Sequence, residues 1–227
     1  MPSDFKKLIA GLKRHYGEPA LPPANGPFEL VLWENACYLL PDERRAEVFE
    51  GLRRQVGLDP HKIQNANRDV LLALAKRGGM RPETRVFRWL EIARITIDQF
   101  DGDLSRVLTK PYAEAKRALK QFPNIGDPGA EKILLCCGVD HFLEVGLPLE
   151  SNGCRVLLRV GYGRENSKNY GAQYRSIREE LDGELPKSAA ALARAHVLLR
   201  QHGKEICKTN GPRCEECPVS AMCAYYG

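Results

Sequence analysis

Cys207, Cys214, Cys217 and Cys223 follow one another with the spacing C-x6-C-x2-C-x5-C. Four thiols in one short loop can close on a single metal centre without help from distant parts of the chain. The two-residue gap is a recurrent chelating step. The gaps of six and five are too uneven for a zinc ribbon, which pairs two tight C-x2-4-C knuckles. All-cysteine sets in one loop commonly hold iron–sulfur clusters, although this spacing is not the ferredoxin run either. The alternative is a pair of disulfides. The other four cysteines, Cys37, Cys136, Cys137 and Cys154, sit in apolar stretches and read as small core residues.

A second segment able to do chemistry is Phe122-Pro123-Asn124-Ile125-Gly126, between helical stretches at 113–121 and 129–137. Backbone N–H groups at the start of the second helix can grip a phosphate oxygen whatever the sequence of the nucleic acid. A plain turn in a helical hairpin uses the same Pro-x-x-Gly pattern, so this segment alone does not separate the two.

The elements that must position these groups are nearly all helical. Periodicity and stop signals predict helices at about 4–16, 42–56, 67–77, 82–100, 103–108, 111–121, 130–137, 151–161, 170–182 and 188–202, with another opening at Pro27. No period-two run is long enough for a strand. At 227 residues the chain can bury a sizeable core as one large or two small domains. The balance of 34 Lys+Arg against 29 Asp+Glu gives +5, a mild basic excess that suits a polyanion. Met1 to Tyr16 is polar and lysine-rich, unlike a signal peptide, and no apolar run approaches a membrane span. A reducing, cytoplasmic location follows as the expectation (nucleoid-associated in a bacterium), and it disfavours disulfides.

Hairpin and cysteine loop together, about eighty residues apart, resemble the helix-hairpin-helix DNA glycosylases of the endonuclease III and MutY type. Pro27-Phe28-Glu29-Leu30 looks like the opening of that family's first barrel helix, and 122–126 is similar to its Leu-Pro-Gly-Val-Gly hairpin. Leu149-Glu150-Ser151-Asn152-Gly153-Cys154-Arg155-Val156 resembles the segment bearing the catalytic aspartate. His202-Gly203, Cys207, Pro212-Arg213-Cys214 and Cys217-Pro218 complete the cluster motif. The resemblance implies an all-α fold of two helical domains flanking a DNA-binding cleft. Residues 26–140 would form a helical barrel carrying the hairpin at 113–137. Residues 141–227 would form a cluster domain whose loop, 207–223, holds a [4Fe–4S] cluster, with 1–25 packing against it. It also implies a monomer acting on double-stranded DNA, flipping out a damaged or mismatched base because the glycosidic bond is inaccessible in the stack.

Three positions depart from the endonuclease III pattern. Where bifunctional members carry a nucleophilic lysine, this chain has Pro128, which has no amine for a Schiff base. Asp127 and Pro128 read instead as an N-cap and first-turn pair, and Lys132, one turn on, reads as a solvated or phosphate-facing lysine, with a substitute nucleophile as the alternative. The aspartate position is Glu150, which keeps the charge that steadies an oxocarbenium-like sugar but sits one methylene further out. A displacement of about 1 Å can cost on the order of a hundredfold in rate. Glu34, seven residues after Pro27, falls where MutY-type members carry the glutamate that protonates the departing base. Helical spacing puts it beside the apolar stripe, where desolvation would raise its pKa; the alternative is an exposed or ion-paired side chain.

Glu34, as general acid or water-positioning residue, and Glu150, as stabiliser of the oxocarbenium ion, are therefore the candidate catalytic pair. Leu39 falls at the wedge position or in the core, and Arg155, Lys208 and Arg213 are candidate phosphate contacts beside the hairpin residues, or else solvated surface charges. The expected function is a monofunctional base-excision DNA glycosylase without AP-lyase activity. The alternative is a DNA damage- or structure-binding protein that kept the fold and lost catalysis.

Overall fold

The computed structural model describes residues 4–38 and 40–226. Among them are eleven α-helices, four short 3-10 segments and no strand. The helices are α1 (Phe5–Tyr16), α2 (Gly26–Glu34), α3 (Asp42–Gln55), α4 (Pro60–Gln64), α5 (Arg68–Arg77), α6 (Pro82–Phe100), α7 (Tyr112–Leu119), α8 (Asp127–Cys136), α9 (Ser151–Arg159), α10 (Tyr170–Leu181) and α11 (Ala189–Glu205). Leu39, expected as the wedge, lies outside the described residues.

Caps explain many of the boundaries. The side chains of Asp4, Asp59, Asn67, Asn169 and Ser188 accept from N–H groups in the first turns of α1, α4, α5, α10 and α11. The short helix α4 and the 3-10 segment Asp140–Val145 escape the sequence reading, because one turn is too short to show a period. One expected cap is corrected: Gly126, not Asp127, is the N-cap of α8.

The chain divides into two compact units, Pro22–Val139 and Met1–Leu21 with Asp140–Gly227. In the continuous unit, the long helix α6 buries Trp89, Ile92 and Ala93 completely and packs against α2, α4 and α5. Buried Arg85 holds the turn before α6, donating to the carbonyls of Ala75 at 2.7 Å, Gly79 at 3.3 Å and Met80 at 3.2 Å. In the other unit, α11 packs on α9 and receives α1, whose Phe5, Leu8 and Leu12 are buried. Gly203 allows the α9–α11 approach, since a Cβ there would stand 2.7 Å from the Asn152 carbonyl oxygen.

Candidate active site and metal centre

The hairpin is built by α7, the turn 120–126 and α8. Phe122 and Ile125 are its buried anchors, with Phe122 stacked 6.1 Å from Phe100. Asn124 occupies the left-handed region at φ 62°, where the related hairpins use glycine; asparagine tolerates this conformation better than most side chains. Pro123 is tied to α2 through its carbonyl, which accepts from Asn35 Nδ2 at 3.0 Å. Gly126 has a negative φ of −94°, and a Cβ added to it would meet nothing within 4 Å. Its freedom is therefore not needed by the fold, and the space in front of it is open to an incoming phosphate.

Beneath the turn lies a charged cluster. Glu131 is 2% exposed and accepts from Lys116 Nζ at 2.7 Å and Tyr112 Oη at 3.1 Å. Asp127 pairs with Lys116 at 3.1 Å and Lys120 at 3.0 Å. Burial works against the charge on Lys116, but its bonds to Glu131 and Asp127 outweigh it and hold the ammonium above its ordinary range. These contacts fasten α7 to α8 and so fix the hairpin angle.

Pro128 stands in the first turn of α8, where its missing N–H leaves no partner wanting. Lys132 does not point to solvent. Side chains on a helix lean toward its N-terminus, and Lys132 Nζ reaches Glu34 Oε2 at 2.5 Å. Arg45 Nη1 approaches the other oxygen, Oε1, at 3.8 Å, with its guanidinium 5.6 Å from the Trp33 ring centre. Glu34 is only 16% exposed, so it is sequestered as expected. Its surroundings, however, are ionic where the helical spacing led us to expect an apolar wall. At the C-terminal end of α2 the helix dipole opposes a carboxylate by about 0.3–1 kcal/mol. A charge-assisted hydrogen bond is worth roughly 1.5–3 kcal/mol, so the pairing wins.

Glu150 is the N-cap of α9. Its Oε1 accepts from the Gly153 N–H at 2.8 Å and its Oε2 from Asn152 Nδ2 at 2.7 Å. The extra methylene, read from the sequence as a displacement, lets the carboxylate fold back onto the first turn. Asn152 Oδ1 in turn accepts from Arg155 Nη2 at 2.8 Å. Arg155 also donates to the carbonyls of Cys207 and Gly203, each at 2.7 Å. This guanidinium ties the Glu150 helix to the cysteine loop. Arg213 is likewise engaged, with Glu216 at 2.8 Å and the Glu205 carbonyl at 3.1 Å, whereas Lys208 is exposed.

The four loop cysteines are free thiols lining one cavity, together with Arg159, Ile206, Pro212 and Tyr225. Among the described residues no group of three or more His, Cys, Asp or Glu side chains gathers to hold a metal ion. A four-iron cluster would ask for one thiolate for each iron around a shared space; the structure shows four thiols along the wall of one cavity. Arg159 Nη1 donates to Cys207 Sγ at 3.3 Å, and its guanidinium lies 4.3 Å from the Tyr225 ring centre. His202 Nε2 is 3.5 Å from Cys217 Sγ, and its Nδ1 is 3.0 Å from Tyr16 Oη. Burial holds this ring neutral, its pKa depressed to about 4, and pushes the Cys217 thiol up.

The sequence reading missed several residues around these sites. Arg45 carries no spacing signal in a polar helix, and Asn35 and Tyr16 acquire partners only through the tertiary fold.

No protein-family profile matches the chain. It is 25% identical over 186 residues to the endonuclease III of Sulfolobus acidocaldarius, covering 82% of this chain and 76% of that protein. It is 26% identical over 220 residues to the thymine-DNA glycosylase of Aeropyrum pernix, covering 94% and 90%. Among solved structures, a trapped covalent endonuclease III–DNA intermediate superposes with a TM-score of 0.73 at 16% identity, over 100% of this chain and 98% of the other. A thermostable thymine-DNA glycosylase gives 0.74 at 17% identity, over 98% and 96%. With its all-helical fold, its hairpin and relatives that match it along most of its length, the chain is similar in sequence and fold to the helix-hairpin-helix DNA glycosylases of the endonuclease III type.

Proposed function

We propose that this protein is a DNA N-glycosylase that hydrolyses the bond between deoxyribose and a flipped, damaged or mismatched base in duplex DNA, without the lyase step. The observation that carries the reading is Pro128. It fills the first turn of α8 after the hairpin, where bifunctional relatives place their amine, and the nearest lysine on that helix, Lys132, is bound to Glu34. Glu150, oriented by Gly153 and Asn152, supplies the negative charge that steadies an oxocarbenium-like sugar. Glu34 is the second catalytic carboxylate. The rim of the hairpin offers N–H groups to a phosphate, and Lys208 adds an exposed positive charge.

Cys207, Cys214, Cys217 and Cys223 would hold a [4Fe–4S] cluster, which stabilises the loop and takes no part in breaking the glycosidic bond. Residues 26–140 act as the barrel and hairpin domain and 141–227 as the cluster domain, with 1–25 belonging to the latter.

A second reading, DNA damage binding without catalysis, is favoured by one observation: both oxygens of Glu150 are already occupied by its own helix turn. One experiment separates the two. Duplexes carrying uracil, thymine opposite guanine, oxidised pyrimidines or alkylated purines are incubated with the protein, then split between hot alkali and no alkali. Strand breaks only after alkali are the expected result. Breaks without alkali would reinstate an amine mechanism, and tight binding with no base release would leave the binding protein.

A further inference from the structure

We infer that Lys132 and Arg45 are positioning residues that keep Glu34 a carboxylate, so that it directs the attacking water and the site releases only bases that leave without its proton. The inference rests on the glycosylase reading and specifies its chemistry. Among the members of this superfamily it separates a site built for proton donation from one built for water activation.

The geometry comes from three elements. Glu34 ends α2; Lys132 reaches it from α8 at 2.5 Å, and Arg45 from α3 at 3.8 Å. All three side chains are between 15% and 21% exposed, so bulk water screens them little. On α8 the remaining titratable neighbour is Cys136, a thiol that burial keeps protonated. Three cations on the other elements packed against α2 have partners of their own. Arg85 binds backbone carbonyls, Arg94 binds Glu91 and Asp98, and Arg106 binds Asp101. Two cations from two different helices converge on one carboxylate. A proton on Glu34 would break that arrangement.

A carboxylate so held cannot protonate a departing base. It can orient a water by accepting its hydrogen bond, and can take the proton briefly once that oxygen has bonded to C1′ and become strongly acidic. In the step, the water oxygen bonds to C1′ and the N-glycosidic bond breaks with its electron pair passing to the base. The water proton goes to Glu34, which later returns it to solvent. The base must then leave unaided by an acid. A 2,4-dioxopyrimidine does so as an anion with charge spread over its carbonyl oxygens, and an N-alkylated purine does so because it starts as a cation. Undamaged adenine, which needs protonation on the ring to depart, is excluded.

The test compares the native chain with Lys132→Met, Lys132→Arg and Arg45→Met, each checked for native folding by circular dichroism. Duplexes carry uracil or thymine opposite guanine, 7-methylguanine, or adenine opposite 8-oxoguanine. Base release should be confined to the first three. Its acid limb should move up by about one pH unit in Lys132→Met, because losing the cation raises the carboxyl pKa. Lys132→Arg should restore the native limb. Adenine release, an unmoved acid limb, or a shifted basic limb would overturn the inference. So would a borohydride-trapped adduct on an abasic duplex that disappears in Lys132→Met, since Lys132 would then be a nucleophile. Absence of release from every duplex sinks the glycosylase reading instead. In that case carbon-13 NMR titration of Glu34, assigned with Glu34→Gln, still decides: a carboxyl that titrates no lower than an ordinary glutamate, or is unmoved in Lys132→Met, overturns the inference.

Discussion

Glu150 serves its helix as an N-cap, and under the proposed reaction the same carboxylate would steady the sugar. Its carboxylate caps α9 through Gly153 and is braced by Asn152, so capping and positioning use the same two bonds. Glu150→Gln keeps an acceptor for the Gly153 N–H and loses the negative charge. We expect thermal unfolding to report a loss of about 1 kcal/mol or less, while base release falls by at least two orders of magnitude. Equal losses in Glu150→Gln and Glu150→Ala on both measurements would point to a purely structural glutamate. This residue stands out in the sequence only through the resemblance of Leu149–Val156 to the segment that carries the family's aspartate. What surrounds it was not legible there. The guanidinium of Arg155 looks like a phosphate contact in the sequence, and only the folded chain shows its donors directed at the carbonyls of Cys207 and Gly203. A positive charge near a nucleic-acid motif has many possible partners, and distant backbone oxygens leave no trace in residue spacing.

At the scale of the element, the hairpin separates what holds it from what it holds. Glu131 and Lys116 lock α7 to α8 under the turn, whereas Gly126 faces open space. Gly126→Ala should therefore cost under about 1 kcal/mol of stability as an N-cap change. It should weaken duplex binding at least several-fold, because a methyl group enters the space a phosphate would take; gel-shift titration of native and variant protein reads the difference. Lys116→Met acts on the other side. It leaves Glu131 buried with less compensation, a loss of about 3 kcal/mol in denaturant unfolding, and should blunt binding only through the altered hairpin angle. Acid adds a weaker effect. Lys120 first and then Lys116 hold the Asp127 carboxyl below its usual range, so its stabilisation is complete above about pH 4 and is lost as the pH falls through its folded value. Asp127 is more than half exposed, so solvent screening keeps that loss small. The helix pair itself was readable from the sequence, since apolar periodicity and Pro–Gly punctuation mark both helices. The N-cap of α8 was misplaced by one residue, because glycine and aspartate are both acceptable there and only backbone geometry chooses between them.

At the scale of the molecule, the chain closes one unit with its two ends. The helix α1 packs with α11 beside the cysteine loop, though more than a hundred residues of the other unit intervene in sequence. Burial of Phe5, Leu8 and Leu12 supplies roughly 1.5–3 kcal/mol each toward that closure. The packing also delivers Tyr16 to His202, whose other nitrogen faces Cys217. If Cys217 binds iron as a thiolate it can only accept, so His202 Nε2 carries the proton. His202 Nδ1 must then accept, and the Tyr16 hydroxyl donates to it. With iron bound, the first helix would thus set the tautomer of the histidine that orients the proposed ligand Cys217. Anaerobically purified protein should be brown, with iron and acid-labile sulfide in equal amounts. Tyr16→Phe removes one oxygen and should leave the melting temperature almost unchanged. It should nevertheless speed iron loss to a chelator by about tenfold, the lower end of what outer-shell partners contribute. Deleting residues 1–21 removes both the packing and the hydroxyl, and should abolish cluster retention altogether. A colourless native protein would remove the cluster, and iron release from Tyr16→Phe at the native rate would reduce the Tyr16–His202 bond to a packing contact.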